Sequence, residues 1–384
     1  MFLSKASRLL PEEALFDRLS QGVCRIKFGA DPSAPDLHLG HVVVLLKLKR
    51  LQDLGHRIVF VIGSFTAQIG DPTGSSKTRP VLSKEQVLEH SKSYQEQVFK
   101  LLDQDKTDVV YNHEWLDCLS PQQIVHLASQ MTVARMMERD DFSKRFSSQV
   151  PIGIHEFLYP LLQGYDSVEL KADIEVGGAD QEFNLLVGRQ LQKQAGQEGQ
   201  AIMTFPILEG LDGVQKMSKS LNNHIALKDP PNEMFAKLMS ISDALMPRYF
   251  DLVTLFSEDE IDAYKKQALQ EPKAVKQALA HHIVSYLHSK KEADSAKDHF
   301  EQVFSKRQAP SELNEYTYKE PLSLLDALAQ TQLIASKKEL RRLFDQGAIK
   351  RDDVVVKDPF YQLESKTKSV IKIGKRQFLK VVVN

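Results

Sequence analysis

The 384-residue chain is expected to be an α/β protein with a parallel sheet in its first half and smaller modules after it. Three observations predict this. Cys24 to Phe28 is an apolar-leaning run, Val42 to Leu54 is helical in pattern, and Arg57 to Gly63 is apolar almost throughout. Strand, helix and strand in about 40 residues make a right-handed βαβ unit by default. The third run lacks alternation, as expected for a parallel strand covered on both faces. The length exceeds what a single core usually serves, so two or three domains are expected.

Composition narrows the class. Hydrophobic residues make up 42% and charged residues 26%, as in ordinary globular chains. The apolar run Val42 to Leu46 is far too short to span a bilayer, and the first ten residues carry no secretory pattern. No membrane partner is expected. Two cysteines, Cys24 and Cys118, stand in no metal-like spacing, which fits a reducing, cytoplasmic location and no protein-held metal. Net charge is −1, but residues 331–384 hold 13 Lys and Arg against 6 Asp and Glu. A basic end on an acidic body suits a polyanionic partner. Charge alone does not separate that from a solvated surface.

In chain order, Pro11 to Leu19 reads as a short helix. The turn Gly29-Ala-Asp-Pro-Ser-Ala-Pro-Asp-Leu-His-Leu-Gly-His41 follows the first strand, and its prolines fix where the next helix starts. His38, Gly40 and His41 sit at that start, where free N–H groups and the helix dipole favour an anion. The histidines add donors, and Gly40 lets a bulky ligand approach the backbone. By itself His-x-x-His could also be a metal pair or two capping residues. The stretch Ile69 to Pro80 lacks the P-loop pattern, and no Gly-x-Gly-x-x-Gly follows the first strand. Asp71 lies in a loop after a strand, where substrates are commonly read.

Ser83 to Gln86 is a capping box opening a helix to about Leu102, and Asp108 to Tyr111 is a short strand. Residues 121–171 are mainly helical, an expected insertion between sheet halves. Within them Tyr159, Gln163 and Asp166 are spaced by four and three, so they share one helix face suited to a small polar ligand. Asp173 to Val176 is a strand, and Gly177-Gly-Ala-Asp-Gln181 opens a helix with Asp180 and Gln181 as readers. Ala201 to Ile207 is a further strand. Lys216-Met-Ser-Lys-Ser220 puts two lysines three apart beside Ser218, with little to pack against. A mobile, phosphate-gripping loop is expected, because lysine is a compact cation. Residues 232–239 and 257–304 are helical, and 305–321 are polar. The basic end has helices at 323–330 and 336–346, the second bearing Lys337, Lys338, Arg341 and Arg342, then strand-like runs at 353–356, 369–373 and 378–383.

His38-Leu-Gly-His41 and Lys216-Met-Ser-Lys-Ser220, in this order, make the chain resemble the class I aminoacyl-tRNA synthetases. Tyr159-x-x-x-Gln163-x-x-Asp166 and Gly177-Gly-Ala-Asp-Gln181 look like the bacterial tyrosyl-tRNA synthetases, and the basic end is similar to their S4 RNA-binding fold. The resemblance implies a Rossmann-like parallel-sheet catalytic domain over 1–224, an α-helical anticodon-recognition domain over 225–310, a linker at 311–321 and a small α+β S4-like domain over 322–384. It implies a homodimer that activates L-tyrosine with ATP and Mg2+, without a prosthetic group, and charges tRNA(Tyr). By the same resemblance His38, His41, Lys216 and Lys219 are catalytic. Asp31, Gly40, Asp180 and Ser218 join them around ATP. Lys27, Gly29, Asp71, Tyr159, Gln163, Asp166 and Gln181 bind tyrosine, with Asp166 accepting from the phenol. Lys337, Lys338, Arg341 and Arg342 contact tRNA.

Two positions depart from the family pattern. Lys27 replaces a tyrosine that many members direct at the substrate hydroxyl; it either donates to that hydroxyl or points away. Val44 replaces a frequent threonine, so a polar contact on the ATP side is expected to be missing. Tryptophan as substrate is disfavoured by Asp166 and Gln181, since indole offers a single N–H donor. A synthetase-like protein that adenylates tyrosine or binds RNA without charging it is disfavoured by the intact lysine motif and the basic end.

Overall fold

A computed structural model describes residues 5–71, 83–305, 313–331, 333–334, 336–352, 354–374 and 377–384. The chain divides into two compact units, Met1–Lys290 and Lys291–Asn384. The Ile69–Pro80 stretch beyond Asp71, residues 306–312 of the polar stretch and Asp353 lie outside the described residues.

The first unit opens with strand β1 (Arg8–Leu10) and helix α1 (Glu12–Gln21). The predicted βαβ unit follows as β2 (Arg25–Ala30), α2 (Leu39–Asp53) and β3 (Arg57–Ile62). The chain continues through α3 (Thr66–Ile69), α4 (Lys84–Val98) and β4 (Thr107–Tyr111). Four helices come next, α5 (His113–Leu116), α6 (Pro121–Ser129), α7 (Val133–Met136) and α8 (Asp140–Ser147), then the long α9 (Ile154–Leu170). The alternation resumes with β5 (Ile174–Gly178), α10 (Glu182–Gln194) and β6 (Ala201–Phe205). Helices α11 (Pro231–Ser240), α12 (Met246–Val253), α13 (Glu258–Gln267) and α14 (Pro272–Leu287) end the unit.

The sheet order is β1-β6-β5-β2-β3-β4. Every pairing is parallel except β1 with β6. The sheet therefore grows outward in both directions from β2 and β5, and a crevice opens where their carboxyl ends diverge. Past Arg57, β3 is buried on both faces, as the absence of alternation predicted. One expectation is corrected. The short β1 pairs Arg8 with Thr204 before the first predicted strand; three residues with no periodicity carry no strand signal. The stretch 257–304 is helical as expected, in three helices; the first ends before Pro272, which cannot continue a preceding helix, and the second ends before Ser289.

Helix α15 (Lys290–Phe300) falls in the second unit except for its first residue, and the unit continues with β7 (Glu315–Tyr318), β8 (Leu322–Ser323), α16 (Leu324–Gln330) and α17 (Lys337–Asp345). It ends with β9 (Ile349–Arg351), β10 (Val354–Val355), β11 (Gln362–Leu363), β12 (Lys368–Ile373) and β13 (Gln377–Val383). Five strands order as β10-β9-β12-β13-β7. Alternation in β12 and β13 buries Ile371, Ile373, Leu379 and Val381 against Leu328, Leu340 and Phe344 of the two helices. Lys337, Lys338, Arg341 and Arg342 remain exposed along α17.

Candidate active site

The histidines sit where the turn enters α2. His38 is the N-cap residue, and its Nδ1 accepts from the Gly40 N–H at 3.2 Å. His41 answers with its Nδ1, 3.2 Å from the His38 N–H. A neutral imidazole whose Nδ1 accepts carries its proton on Nε2, so each ring keeps one donor for a ligand. Burial holds both rings neutral, taking His41 down to about 4 and His38 lower still. They serve as hydrogen-bond donors and not as cations. A Cβ on Gly40 would lie 2.9 Å from the His38 ring, so glycine is needed first for the cap. Val44 is buried.

The lysine motif is joined to this helix start by backbone. Leu39 N–H donates to the Ile225 carbonyl and Leu227 N–H to the Leu37 carbonyl, at 3.0 and 2.9 Å. Within the motif, Lys216 Nζ lies 3.6 Å from Asp180 and Lys219 Nζ lies 3.6 Å from Asp36. Burial lowers the Lys219 ammonium below its usual range, and Asp36 opposes that shift. The expectation that this segment has little to pack against is corrected. Met217 is 4% exposed, and its N–H donates to the Leu208 carbonyl. Ser218 pairs its hydroxyl with that of Ser220.

Beyond the histidines, α9 delivers Tyr159, Gln163 and Asp166 on one face. Tyr159 donates its hydroxyl to Asp31 Oδ2 at 2.9 Å, and Thr66 donates to the other Asp31 oxygen at 2.7 Å. Asp31 thus ties the end of β2 to α9 and to the start of α3. Asp166 is buried and accepts from Trp115 Nε1 at 2.8 Å and Asn112 Nδ2 at 3.3 Å. Burial pushes its carboxyl up to about 6, against the pull of the Lys27 charge. Gln163, Asn184, Gln181 and Asp71 form a chain: Asn184 donates to Gln163 at 2.9 Å and to Gln181 at 3.0 Å, and Gln181 donates to Asp71 at 2.9 Å. A Cβ added to Gly29 would meet no described atom within 4 Å, so this end of β2 borders open space.

Lys27 is fully buried, and its ammonium faces three acceptors. They are Glu175 at 2.9 Å, the Ser167 hydroxyl at 2.7 Å and the Gln163 carbonyl at 2.8 Å. An ammonium has three protons, so none is left for a substrate hydroxyl. Of the two alternatives for this residue, it points away from the hydroxyl-donor role and into the protein.

Sequence reading missed Asn112, Trp115, Thr66, Asn184 and the Lys27–Glu175 pair. The first three come from segments distant in sequence, and no spacing rule connects them to Asp166 or Asp31. Glu175 was legible as odd, being a carboxylate inside an apolar strand. Among the described residues no group of three His, Cys, Asp or Glu could hold a metal ion.

Residues 19–305 match the model of the tRNA synthetases class I (W and Y), and the chain belongs to that family. Its relatives include the tyrosine--tRNA ligase of Thermotoga maritima, 48% identical over 97% of this chain and 94% of that one. The tyrosine--tRNA ligase of Francisella tularensis is 49% identical over 98% and 96%. The fold is shared with the tyrosyl-tRNA synthetase of Archaeoglobus fulgidus solved with L-tyrosine, at a TM-score of 0.62 and 23% identity, over 77% of this chain and 97% of that one. A truncated mitochondrial tyrosyl-tRNA synthetase of Aspergillus nidulans gives 0.65 at 22%, over 78% and 91%.

Proposed function

We infer that the chain activates L-tyrosine with ATP and transfers it to tRNA(Tyr). The observation that carries this is near-half identity, over almost the whole of both chains, to tyrosine--tRNA ligases. In the first step a tyrosine carboxylate oxygen bonds to the α-phosphorus of ATP, and the bond to the bridging oxygen of pyrophosphate breaks. In the second a ribose hydroxyl at the tRNA 3′ end attacks the tyrosyl carbonyl and AMP leaves. Such chemistry needs positioning and charge stabilisation more than covalent help.

We assign the residue roles on the resemblance to the family, and the chemistry of each side chain suits its role. Nε2–H of His38 and of His41 donates to phosphate oxygens. Lys216 and Lys219 leave Asp180 and Asp36 to neutralise the departing pyrophosphate. Asp31, Gly40, Asp180 and Ser218 complete the ATP side, and Mg2+ travels with the nucleotide, held mainly by phosphates and water. Asp71, Tyr159, Gln163 and Gln181 take the ammonium and carboxylate of tyrosine, with Gly29 leaving space. Asp166 accepts from the phenol beside its bonds from Trp115 and Asn112, and phenylalanine would supply no donor for that remaining position.

The domain boundaries at 224, 310 and 321 remain our assignment, with 322–384 as the tRNA-binding module through Lys337, Lys338, Arg341 and Arg342. Val133, Phe146 and Ile154 are large apolar side chains left exposed on the helices before and at the start of α9, which supports a homodimer. No helix among the described residues is long and apolar enough to cross a membrane. We assign the protein to the cytoplasm on its cysteine usage. ATP–pyrophosphate exchange with each of the twenty amino acids tests the activity: tyrosine alone should drive it. Exchange driven by tryptophan, or by none, overturns the reading.

A further inference from the structure

The lysine motif is held by a side chain outside it. Asn223 is 5% exposed and its amide makes three hydrogen bonds. Its Oδ1 accepts from the Ser218 N–H at 2.8 Å. Its Nδ2 donates to the Lys216 carbonyl at 3.2 Å and to Asp212 Oδ2 at 2.7 Å. Asp212 is fixed in turn, because its Oδ1 accepts from the Val214 and Gln215 N–H groups, both at 2.9 Å. One amide therefore grips the backbone on both sides of the buried Met217. A Cβ on Gly210 would lie 2.3 Å from this amide, so the preceding turn leaves room for it only as glycine.

We propose that Asn223 is a positioning residue for adenylate formation, clamping the backbone at Lys216 and Ser218 so that Lys216 and Lys219 enter as a preset pair. This rests on the function inferred above. The clamp acts on backbone alone. The lysine side chains stay part-exposed and meet their carboxylates only at 3.6 Å, so a phosphate can take them over while their origin stays fixed. A misplacement of about 1 Å in a group that acts on the transition state can cost a hundredfold in rate. Water can satisfy the freed Ser218 N–H and Lys216 carbonyl in a truncated variant, but water cannot hold their separation.

The test uses the full chain carrying Asn223→Ala, Asn223→Asp, and the exchange of partners Asp212→Asn/Asn223→Asp. Tyrosine-driven ATP–pyrophosphate exchange is measured for each, with and without Lys219→Ala. Asn223→Ala should lower kcat about 10- to 100-fold and leave KM for tyrosine unchanged. Asn223→Asp keeps the acceptor and loses the donor, so it should be as slow. The partner exchange restores a donor–acceptor pair and should recover part of the rate. In the Lys219→Ala background the loss from Asn223→Ala should be smaller than in wild type, because only Lys216 is then left to position and coupled sites are not additive. An equal loss in both backgrounds, or a matching rise in KM for tyrosine, overturns the clamp. Amide hydrogen exchange over Val214–Leu221 decides independently of activity: faster exchange in Asn223→Ala supports the clamp, and unchanged exchange overturns it. A wild-type enzyme with no tyrosine-driven exchange overturns the inferred function instead.

Discussion

Asp166 and Lys27 are buried at the end we propose for tyrosine, and each meets its partners at direct hydrogen-bond distance. Lys216 and Lys219, at the end we propose for the phosphates, have side chains 40% and 26% exposed, and each stands 3.6 Å from one carboxylate. The first arrangement is built once, on folding, and its cost in desolvation is met by the fold. The second can be exchanged for a ligand at every turnover, because an exposed ion pair contributes little. Recognition of an uncharged ring needs a fixed shape, whereas charge that develops on a departing pyrophosphate needs cations that can follow it.

Substitutions should separate these two ends. Lys27→Met leaves Glu175 charged in the interior, so it should cost about 3–5 kcal/mol of stability by chemical denaturation. Lys27→Met/Glu175→Gln should regain most of it. A loss under 1 kcal/mol for the single variant would place the tyrosine end among the loosely held regions. Lys219→Ala should lower tyrosine-driven exchange about 100-fold while leaving stability within about 0.5 kcal/mol. A comparable fall in melting temperature would show that this end too is built on folding.

Smaller effects sharpen the contrast. Asp166→Ala should weaken kcat/KM for tyrosine about 10- to 100-fold, with little change for phenylalanine. The wild-type preference for tyrosine should also weaken as pH falls through about 6, where the Asp166 carboxyl protonates and is cheaper to leave unpaired. Gly40→Ala pushes the His38 ring out of its cap and should slow exchange about tenfold without altering KM for tyrosine. An unchanged rate would show that the ring relaxes in place.

The smallest expected effect is on stability against pH. Burial takes His41 down to about 4 in the folded protein from the ordinary 6.5, so the unfolded chain binds more protons between those values. Its contribution to stability is present above 6.5 and lost as pH falls toward 4. Asp166 works in the opposite sense, since its raised carboxyl favours the folded state at low pH. Melting from pH 7.5 to 4.5 should therefore fall less steeply in His41→Gln than in wild type. A parallel slope would mean that His41 is not held neutral.

Local pattern and order along the chain determined much of this protein. The βαβ unit over residues 25–62, the helix face carrying Tyr159, Gln163 and Asp166, and the histidine and lysine motifs depend on periodicity, proline placement and residue type within a few turns. These signals survive in a linear string because each is a short-range preference. The tertiary structure alone decided what lies behind them. Lys27 faces Glu175 because β2 and β5 are neighbours in the sheet, although 148 residues separate them in sequence. Asn112 and Trp115 reach Asp166 from the turn and helix that follow β4, and Asn223 meets the lysine motif beside the bonds of Ile225 and Leu227 to the start of α2. Buried polar partners are chosen by which donors and acceptors the packed core brings within about 3 Å, and no spacing along the chain encodes that.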